Sequence, residues 1–295
     1  MPKVSVIIPT YNQAELLADC LDSVFAQSFG DFEVLVVNNF STDDTGPILD
    51  RFVGQVGDRL KRVDFANQGS IAAGRNRGAA LARGEWLAFL DSDDLWEPEK
   101  LAVCLEAVQT ADFCCHPVHL LKDGQWIGEA GRLSLGELDY KNYLFSGNKV
   151  VTSTVMVKRA AFVAQRGFNE AQALITAEDW DLWLRLVRAG AKPVVVDRNL
   201  GQYRLHGGSS SNKVRLHFEA GWKVFLDHYQ ALPPKDQDPA AFRKAQALHL
   251  YGAARKFSKL GQGTEARPLF LQSLKLNPFY PKVWLGWAQS FLQKA

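Results

Sequence analysis

Hydrophobic residues fall along the chain in two alternating rhythms. Residues 4–8, Val-Ser-Val-Ile-Ile, form a β-branched run stopped by Pro9 and read as a strand buried on both faces. Residues 13–26 carry Leu16, Leu17, Cys20, Leu21 and Val24 at the spacing of one helix face. The cycle repeats. Residues 32–37 read as a second strand, and Ser41 or Thr42 is expected to cap a helix with Ile48, Leu49, Phe52 and Val53 on its apolar face. Residues 63–65 give a third strand, Asn67-Gln-Gly69 a turn, 71–81 a helix stopped by Gly84, and 86–90 a fourth strand. Pro98 is expected in the first turn of the next helix.

Strand and helix alternate to about residue 108, which predicts a parallel sheet with right-handed crossovers and helices on both faces. Ligands of such sheets bind at the carboxyl ends of the strands. The polar clusters Thr10-Tyr-Asn12, Asn38-Asn39 and Asp91 to Asp94 each follow a strand directly and are expected to converge on one edge.

The second half is less regular. Asp123-Gly124 reads as a hairpin turn, 150–157 as a strand, 178–189 as an amphipathic helix ended by Gly190, and 194–196 as a strand. Past residue 213 strand signals stop. The end of the chain is expected to be all helical, with a tetratricopeptide-like cadence at 248–254 and 266–276 too short to establish a repeat array.

Composition narrows the function classes. The 295 residues are 47% apolar and 22% charged, the balance of a globular protein, and suffice for one large α/β domain with a small extra module. Lys plus Arg number 34 and Asp plus Glu 32, so the net charge of +2 gives no sign of a nucleic-acid partner. The four cysteines, Cys20, Cys104, Cys114 and Cys115, lack zinc-ligand spacing and are expected to be reduced and buried. The opening apolar stretch is too short for a secretory signal, and no run approaches the roughly 20 apolar residues of a membrane span. The expected location is the cytoplasm.

The chemistry-bearing residues come as ordered motifs. Val-Ser-Val-Ile-Ile-Pro-Thr-Tyr-Asn opens the chain, and Val37-Asn-Asn-Phe-Ser-Thr-Asp-Asp-Thr45 follows. Then come Asn67-Gln-Gly with Gly74-Arg-Asn-Arg-Gly78, Asp91-Ser-Asp, Glu178-Asp-Trp-Asp-Leu-Trp183 and Tyr203-Arg-Leu-His206. In order and spacing they resemble the inverting glycosyltransferases of family 2. That resemblance implies a GT-A fold: a Rossmann-like nucleotide-binding half (1–108) fused to a mixed-sheet acceptor half (109–212), followed here by a helical appendage (213–295). It implies transfer of a sugar from a nucleotide-diphosphate sugar to an acceptor hydroxyl, with surface glycan synthesis the expected setting.

Asp91 and Asp93, two apart at a strand end, suit a hard divalent cation, Mg2+ or Mn2+, that also takes phosphate oxygens. The resemblance assigns Asp93 and Asp91 to the metal, Asp91 and Ser92 also to the donor, and His206 to the metal or diphosphate. Ser209 to Ser211 lie in a Gly- and Ser-rich stretch whose hydroxyls and amides suit phosphate, so Ser210 and Ser211 join the diphosphate site. Gly207 and Gly208 mark that stretch as a candidate lid. Thr10, Tyr11, Asn39 and Arg75 are the remaining donor contacts, Tyr11 by stacking on the base. Asn39 stands where the family usually has Asp. An amide can accept the imide proton of uracil or thymine or donate to a carbonyl; the departure weakens the usual mark of UDP, while the resemblance keeps a UDP-sugar favoured and leaves a dTDP-sugar open.

Inverting transfer requires a carboxylate that takes the acceptor proton. Asp179 is expected in that role, with Glu178 the alternative; both also suit the start of a helix, where acidic side chains oppose the macrodipole. Trp180 and Trp183 are expected in the core rather than as an acceptor platform, and His116 and His119 as structural residues. A sugar-phosphate nucleotidyltransferase is the competing enzyme class, but Pro-Thr-Tyr-Asn occupies the place of its Gly-rich basic loop. A non-catalytic sugar-nucleotide-binding or adaptor protein is the other alternative. The acceptor is expected to be a glycan or a lipid-linked one. In the tail, Trp284, Trp287 and Phe291 are spaced as one buried helix face; gathered with Lys275, Lys282 and Lys294, the aromatics also fit peripheral contact with the inner face of a membrane.

Overall fold

The computed structural model describes residues 1–207 and 213–291. The described residues divide into two compact units. Met1–Tyr140, Lys149–Gln172 and Glu178–Gly207 make the first; Lys141–Asn148, Ala173–Ala177 and the described chain beyond Gly207 make the second.

The first unit begins with the expected alternation. In chain order its elements are β1 (Val4–Thr10), α1 (Ala14–Phe25), β2 (Phe32–Asn38), α2 (Thr45–Val56), β3 (Leu60–Asp64), α3 (Ile71–Leu81) and β4 (Trp86–Phe89). Then follow β5 (Leu95–Trp96), α4 (Lys100–Ala107), β6 (Phe113–Cys115), β7 (Val118–Lys122) and β8 (Gln125–Ala130). α5 (Tyr140–Ser146) leads into the second unit. β9 (Met156–Lys158), α6 (Arg159–Ala164), α7 (Glu178–Arg188), β10 (Pro193–Val195) and β11 (Gly201–Leu205) complete the first.

A seven-stranded sheet runs in the order β10-β6-β9-β4-β1-β2-β3. β1 to β4 are parallel, and β9 is antiparallel to both its neighbours, β4 and β6. A second sheet, β5-β11-β7-β8, is mixed. On one face of the large sheet Val4, Val6 and Ile8 meet Leu17, Cys20 and Leu21 of α1, Leu49 and Phe52 of α2, and Leu101 of α4. On the other face α3 lies close enough that a Cβ on Gly78 would stand 2.6 Å from Ile7 Cγ2, so only glycine fits there. Phe89, Phe113, Phe162, Phe168 and Trp183 form an aromatic cluster, with Phe89 and Phe168 edge to face at 5.0 Å. Trp183 and Trp180 are buried, as the core reading expects.

Several boundaries differ from the sequence reading for identifiable reasons. Pro9 does not end β1; it pairs with Val37, and the strand runs on to Thr10. The last β4 partner is Phe89, opposite Ile7, so Pro9 lies beyond the point where its missing N–H would interrupt the ladder. α2 starts at Thr45, not after Ser41 or Thr42. Ser41 Oγ donates instead to Asn38 Oδ1 at 2.7 Å, and the Thr42 backbone N–H donates to Asn12 Oδ1. Pro98 precedes α4 by two residues. Gly84 does not stop α3, which ends at Leu81; a Cβ on Gly84 would lie 2.6 Å from the Ser5 backbone nitrogen. Of the expected strand 150–157, residues Thr152–Thr154 are a short 3-10 turn and only Met156 onward is strand. Asp123 and Gly124 do form the hairpin, with φ of 50° and 76°, the double left-handed geometry of a type I′ turn.

All four cysteines are buried and free. Two other buried polar groups lie near them. Lys100 is fully buried with Nζ 3.7 Å from the Trp96 ring centre and no hydrogen-bond partner. His116 is 1% exposed, Nδ1 meets the Pro117 carbonyl, and Nε2 has no partner. Burial, then the charge of Lys100, pushes the His116 imidazole from 6.5 down to about 3. The unfolded chain therefore binds a proton at His116 that the folded chain refuses between those values, so stability is lost as pH falls through that window. The slope is up to about 1.4 kcal/mol per pH unit. Urea midpoints at pH 7 and pH 5 are expected to fall further for the native chain than for His116→Asn, which keeps a donor near the Nδ1 position and does not titrate. Equal falls in the two proteins would exclude His116 as the sensitive group.

The second unit is helical among its described residues: α8 (Val214–Gln230), α9 (Pro239–Lys259), α10 (Gly263–Leu276) and α11 (Pro281–Gln289), with α5 beside them. Phe145 of α5 meets Phe225 and Tyr229 of α8 edge-on. Ala254, Ala266, Phe270 and Val283 are the centre of a small core shared by α9, α10 and α11. Trp284, Trp287 and Phe291 are not one buried face. Trp284 and Phe291 are 50% and 54% exposed, Trp287 is half-buried, and Val283 is the residue α11 buries.

Candidate active site

Three loops meet at the carboxyl ends of β1, β2 and β4, as the strand-end clusters predict. The Asn39 backbone N–H donates to the Thr10 carbonyl, and the Asn12 backbone N–H donates to Ser41 Oγ. Tyr11 and Phe40 occupy the level between those two ties and are 54% and 60% exposed. Phe40 has φ of 50°, a left-handed conformation that is uncommon for a bulky side chain. Thr10 is buried and its hydroxyl has no hydrogen-bond partner. Asn39 Oδ1 accepts the Asn67 backbone N–H at 3.0 Å, which turns its NH2 away from that bond. Asn38 is committed to structure, donating to Asp64 Oδ1 at 2.7 Å.

The loop after β4 holds the acidic cluster. Carboxylate oxygens of Asp91, Asp93 and Asp94 lie within 4.8 Å of one another. Each has its own partner: Arg75 Nη2 at 2.6 Å from Asp91 Oδ1, His206 Nε2 at 2.8 Å from Asp93 Oδ2, and Ser153 Oγ donating to Asp94 Oδ2 at 2.5 Å. Arg204 braces the loop from β11, its backbone N–H donating to Asp94 Oδ1 and its guanidinium reaching Asp19, Leu16 O and Asp93 O. Burial and the neighbouring Asp91 push the Asp93 carboxyl up, against the pull of His206. Burial, then Asp93 and Asp91, push Asp94 well above the usual carboxylate range. Hard oxygen donors crowded until their charge is costly are what a divalent cation relieves, so this donor set fits Mg2+ or Mn2+.

Arg75 and Ser92, both expected at the donor, are buried and hydrogen-bonded within the protein. Arg75 is 3% exposed, because its second Nη donates to Glu178 Oε1 at 2.8 Å and its guanidinium lies over Phe168. Burial disfavours its charge, but Asp91 and Glu178 more than offset that and hold it firmly protonated. Ser92 is 2% exposed and its hydroxyl donates to Gln13, pinning the loop to the start of α1.

Glu178 and Asp179 open α7 and differ in access. Glu178 is 4% exposed. Burial pushes its carboxyl up to about 7; Arg75 opposes the shift and Asp179 adds to it. Asp179 is only part-buried, accepting from Thr152 Oγ1 at 3.1 Å and from the Trp180 backbone N–H at 2.7 Å. Consecutive hydroxyls thus join the two acidic groups: Thr152 holds Asp179, while Ser153 accepts the Asp91 backbone N–H and holds Asp94. Asp94, Thr152 and Ser153 were missed by sequence reasoning. The available signal was the run Thr152-Ser-Thr154, three hydroxyls where a buried strand would carry at most alternate ones. Ser210 and Ser211, with Ser209 and Gly208 of the candidate lid, lie outside the described residues.

Comparison with known proteins follows the same residues. The family model described as "Glycosyl transferase family 2" matches residues 5–162. The putative teichuronic acid biosynthesis glycosyltransferase TuaG of Bacillus subtilis is 32% identical over 216 residues, 72% of this chain and 83% of that protein. Among solved structures, the mannosyltransferase PcManGT from Pyrobaculum calidifontis, in complex with GDP-Man and Mn2+, aligns with a TM-score of 0.63 at 19% identity. That alignment covers 99% of this chain and 80% of the other. TarS 1-349 of S. aureus, in complex with UDP, aligns with a TM-score of 0.58 at 19% identity over 97% and 91% of the two chains. At that identity the structural likeness speaks to fold alone, and the fold is GT-A.

Proposed function

Because the chain belongs to glycosyltransferase family 2, we propose that it transfers a sugar, with inversion, from a nucleotide-diphosphate sugar to an acceptor hydroxyl, with Asp179 as the base. The observation that carries this reading is the Thr152-Ser153 pair, which fixes a part-exposed carboxylate beside the acidic loop. The acceptor oxygen bonds to the anomeric carbon as the bond from that carbon to the diphosphate oxygen breaks, and the acceptor proton passes to Asp179. Glu178 and Arg75 serve by position: their buried pair ties the start of α7 to Asp91. Asp93, Asp91 and His206 would hold a divalent cation, Mg2+ or Mn2+. When bound, such a cation supplies charge to the diphosphate leaving group.

A UDP-sugar is the proposed donor and a dTDP-sugar the next choice. Tyr11 stacks on the base, Thr10 supplies a hydroxyl, and the NH2 of Asn39 donates to a base carbonyl while its Oδ1 keeps a lone pair for the imide proton. Ser210 and Ser211 remain proposed diphosphate contacts. The proposed acceptor is a glycan, free or lipid-linked, of the cell surface; the setting named for TuaG supports that choice. The proposed place of work is the cytoplasmic side of a membrane. Residues 1–212 form the proposed transferase domain, with donor and acceptor halves meeting near residue 108, and 213–295 its appendage.

A thermal-shift screen of UDP-, dTDP- and GDP-sugars with Mn2+, repeated in EDTA, tests the donor. One donor is expected to stabilise the protein by about 2.7 kcal/mol at a hundredfold excess over Kd, seen as a rise of several degrees in Tm. EDTA is expected to abolish the rise. Release of nucleoside diphosphate in a donor-hydrolysis assay supports transfer. Pyrophosphate release would point to a nucleotidyltransferase, and inertness with every donor to a binding protein.

A further inference from the structure

We propose that α10, α11 and the loop between them form a docking face for an anionic lipid surface. Charge is the first reason. Residues 239–295 contain nine Lys and Arg residues and a single acidic one, Glu265, so a chain of net charge +2 carries +8 in this stretch. Arg243, Lys244, Arg255, Lys259, Lys275 and Lys282 are exposed and make no ion pair among the described residues. Glu265 is already paired with Arg215.

Apolar exposure is the second reason, and it lies in the same stretch. Phe279 is 92% exposed, Leu285 60%, Phe291 54% and Trp284 50%. Trp284, Trp287 and Phe291 are held in a connected row. Trp284 Nε1 donates to the Pro278 carbonyl beside Phe279, Trp284 meets Trp287 edge-on at 6.2 Å, and Trp287 meets Phe291 edge-on at 5.1 Å. Arg267 lies 4.5 Å over the Phe291 ring. Exposed aromatic rings interleaved with long basic side chains suit the boundary between headgroups and acyl chains. No helix among the described residues is long and apolar enough to cross a membrane, so the contact lies at the surface. A second copy of the chain is the poorer occupant, because two faces of the same strong charge repel. The inference deepens the proposed function, on which it rests for its purpose: it names the surface where a lipid-linked acceptor is met.

Sedimentation with phosphatidylcholine vesicles, with and without phosphatidylglycerol, tests it on the full chain without nucleotide. The protein is expected to sediment with the anionic vesicles alone and to be released by raised salt. Lys275→Glu with Lys282→Glu, and separately Phe279→Ser with Leu285→Ser, should each weaken binding at least about tenfold while circular dichroism stays unchanged. All four positions are exposed, so neither variant threatens the core. Equal binding to both vesicles, or full binding by either variant, would overturn the proposal. Self-association without vesicles that vanishes in Phe279→Ser with Leu285→Ser would give the face to a second copy instead. The donor screen with Mn2+ shares no reagent or readout with this assay, so either reading can fail alone.

Discussion

Asp179→Asn is expected to lower sugar transfer by at least about a hundredfold, the scale of general-base catalysis, while donor affinity and Tm stay near those of the native protein. The side chain keeps its shape. Asn Oδ1 still accepts the Trp180 backbone N–H, and the Thr152 hydroxyl, which donates to the carboxylate, can turn to accept from an amide. Only the ability to take a proton is lost. Glu178 gives the opposite pattern. Its carboxylate and Arg75 are 5% and 4% exposed at the side chain, and removing one partner of a buried pair costs about 3–5 kcal/mol. Glu178→Ala is therefore expected to lower Tm by many degrees. Single-turnover rates alongside thermal melts separate the two. Near-normal turnover by Asp179→Asn would remove it from the role.

The second large effect is expected at Asp93. Asp93→Ala should weaken metal-dependent nucleotide binding at least about a hundredfold, since even residues that merely orient a metal ligand are worth 10- to 100-fold. Its neighbours do not depend on it for place. Asp91 stays on Arg75, and Asp94 on Ser153 and the Arg204 backbone. Asp93 loses only its contact with His206, so the variant should fold. Calorimetry of UDP with Mn2+ and with EDTA gives the readout. An affinity in the native protein that EDTA does not change would dismiss the metal site.

The acidic candidates and His206 could be named from the sequence, and the hydroxyls that hold Asp179 and Asp94 could not. A strand followed at once by Asp91-Ser-Asp places carboxylates at a sheet edge by topology alone, and the alternating rhythm gave that topology as far as α3 and β4. Ser153 and Thr152 act across the fold, 62 and 27 positions from their acidic partners. Periodicity carries no information about such a tie. Ser41 shows the same limit: a hydroxyl ahead of a helix is a good cap until a closer acceptor, here Asn38, takes it. Arg75 reads as a contact to nucleotide or phosphate, and nothing local announces that Asp91 and Glu178 also close over it. The tail misled for another reason. Aromatic spacing of three and four marks a helix face but not which side is buried, and Val283 turned the face outward.

The reversed strand β9 also dictates when the large sheet can close during synthesis. β1 to β4 come from residues 4–89 and pair among themselves as soon as they emerge. The far side of β4 must wait for Met156–Lys158, and β6 reaches the sheet only through that same strand. About 70 residues separate the end of β4 from the end of β9, several seconds of translation at ~5–20 residues per second. Through that interval Trp86, Leu87, Ala88 and Phe89, all buried in the finished protein, line an unpaired apolar edge. A nascent chain stalled short of residue 156 is thus the form of this protein most open to pairing with the wrong strand.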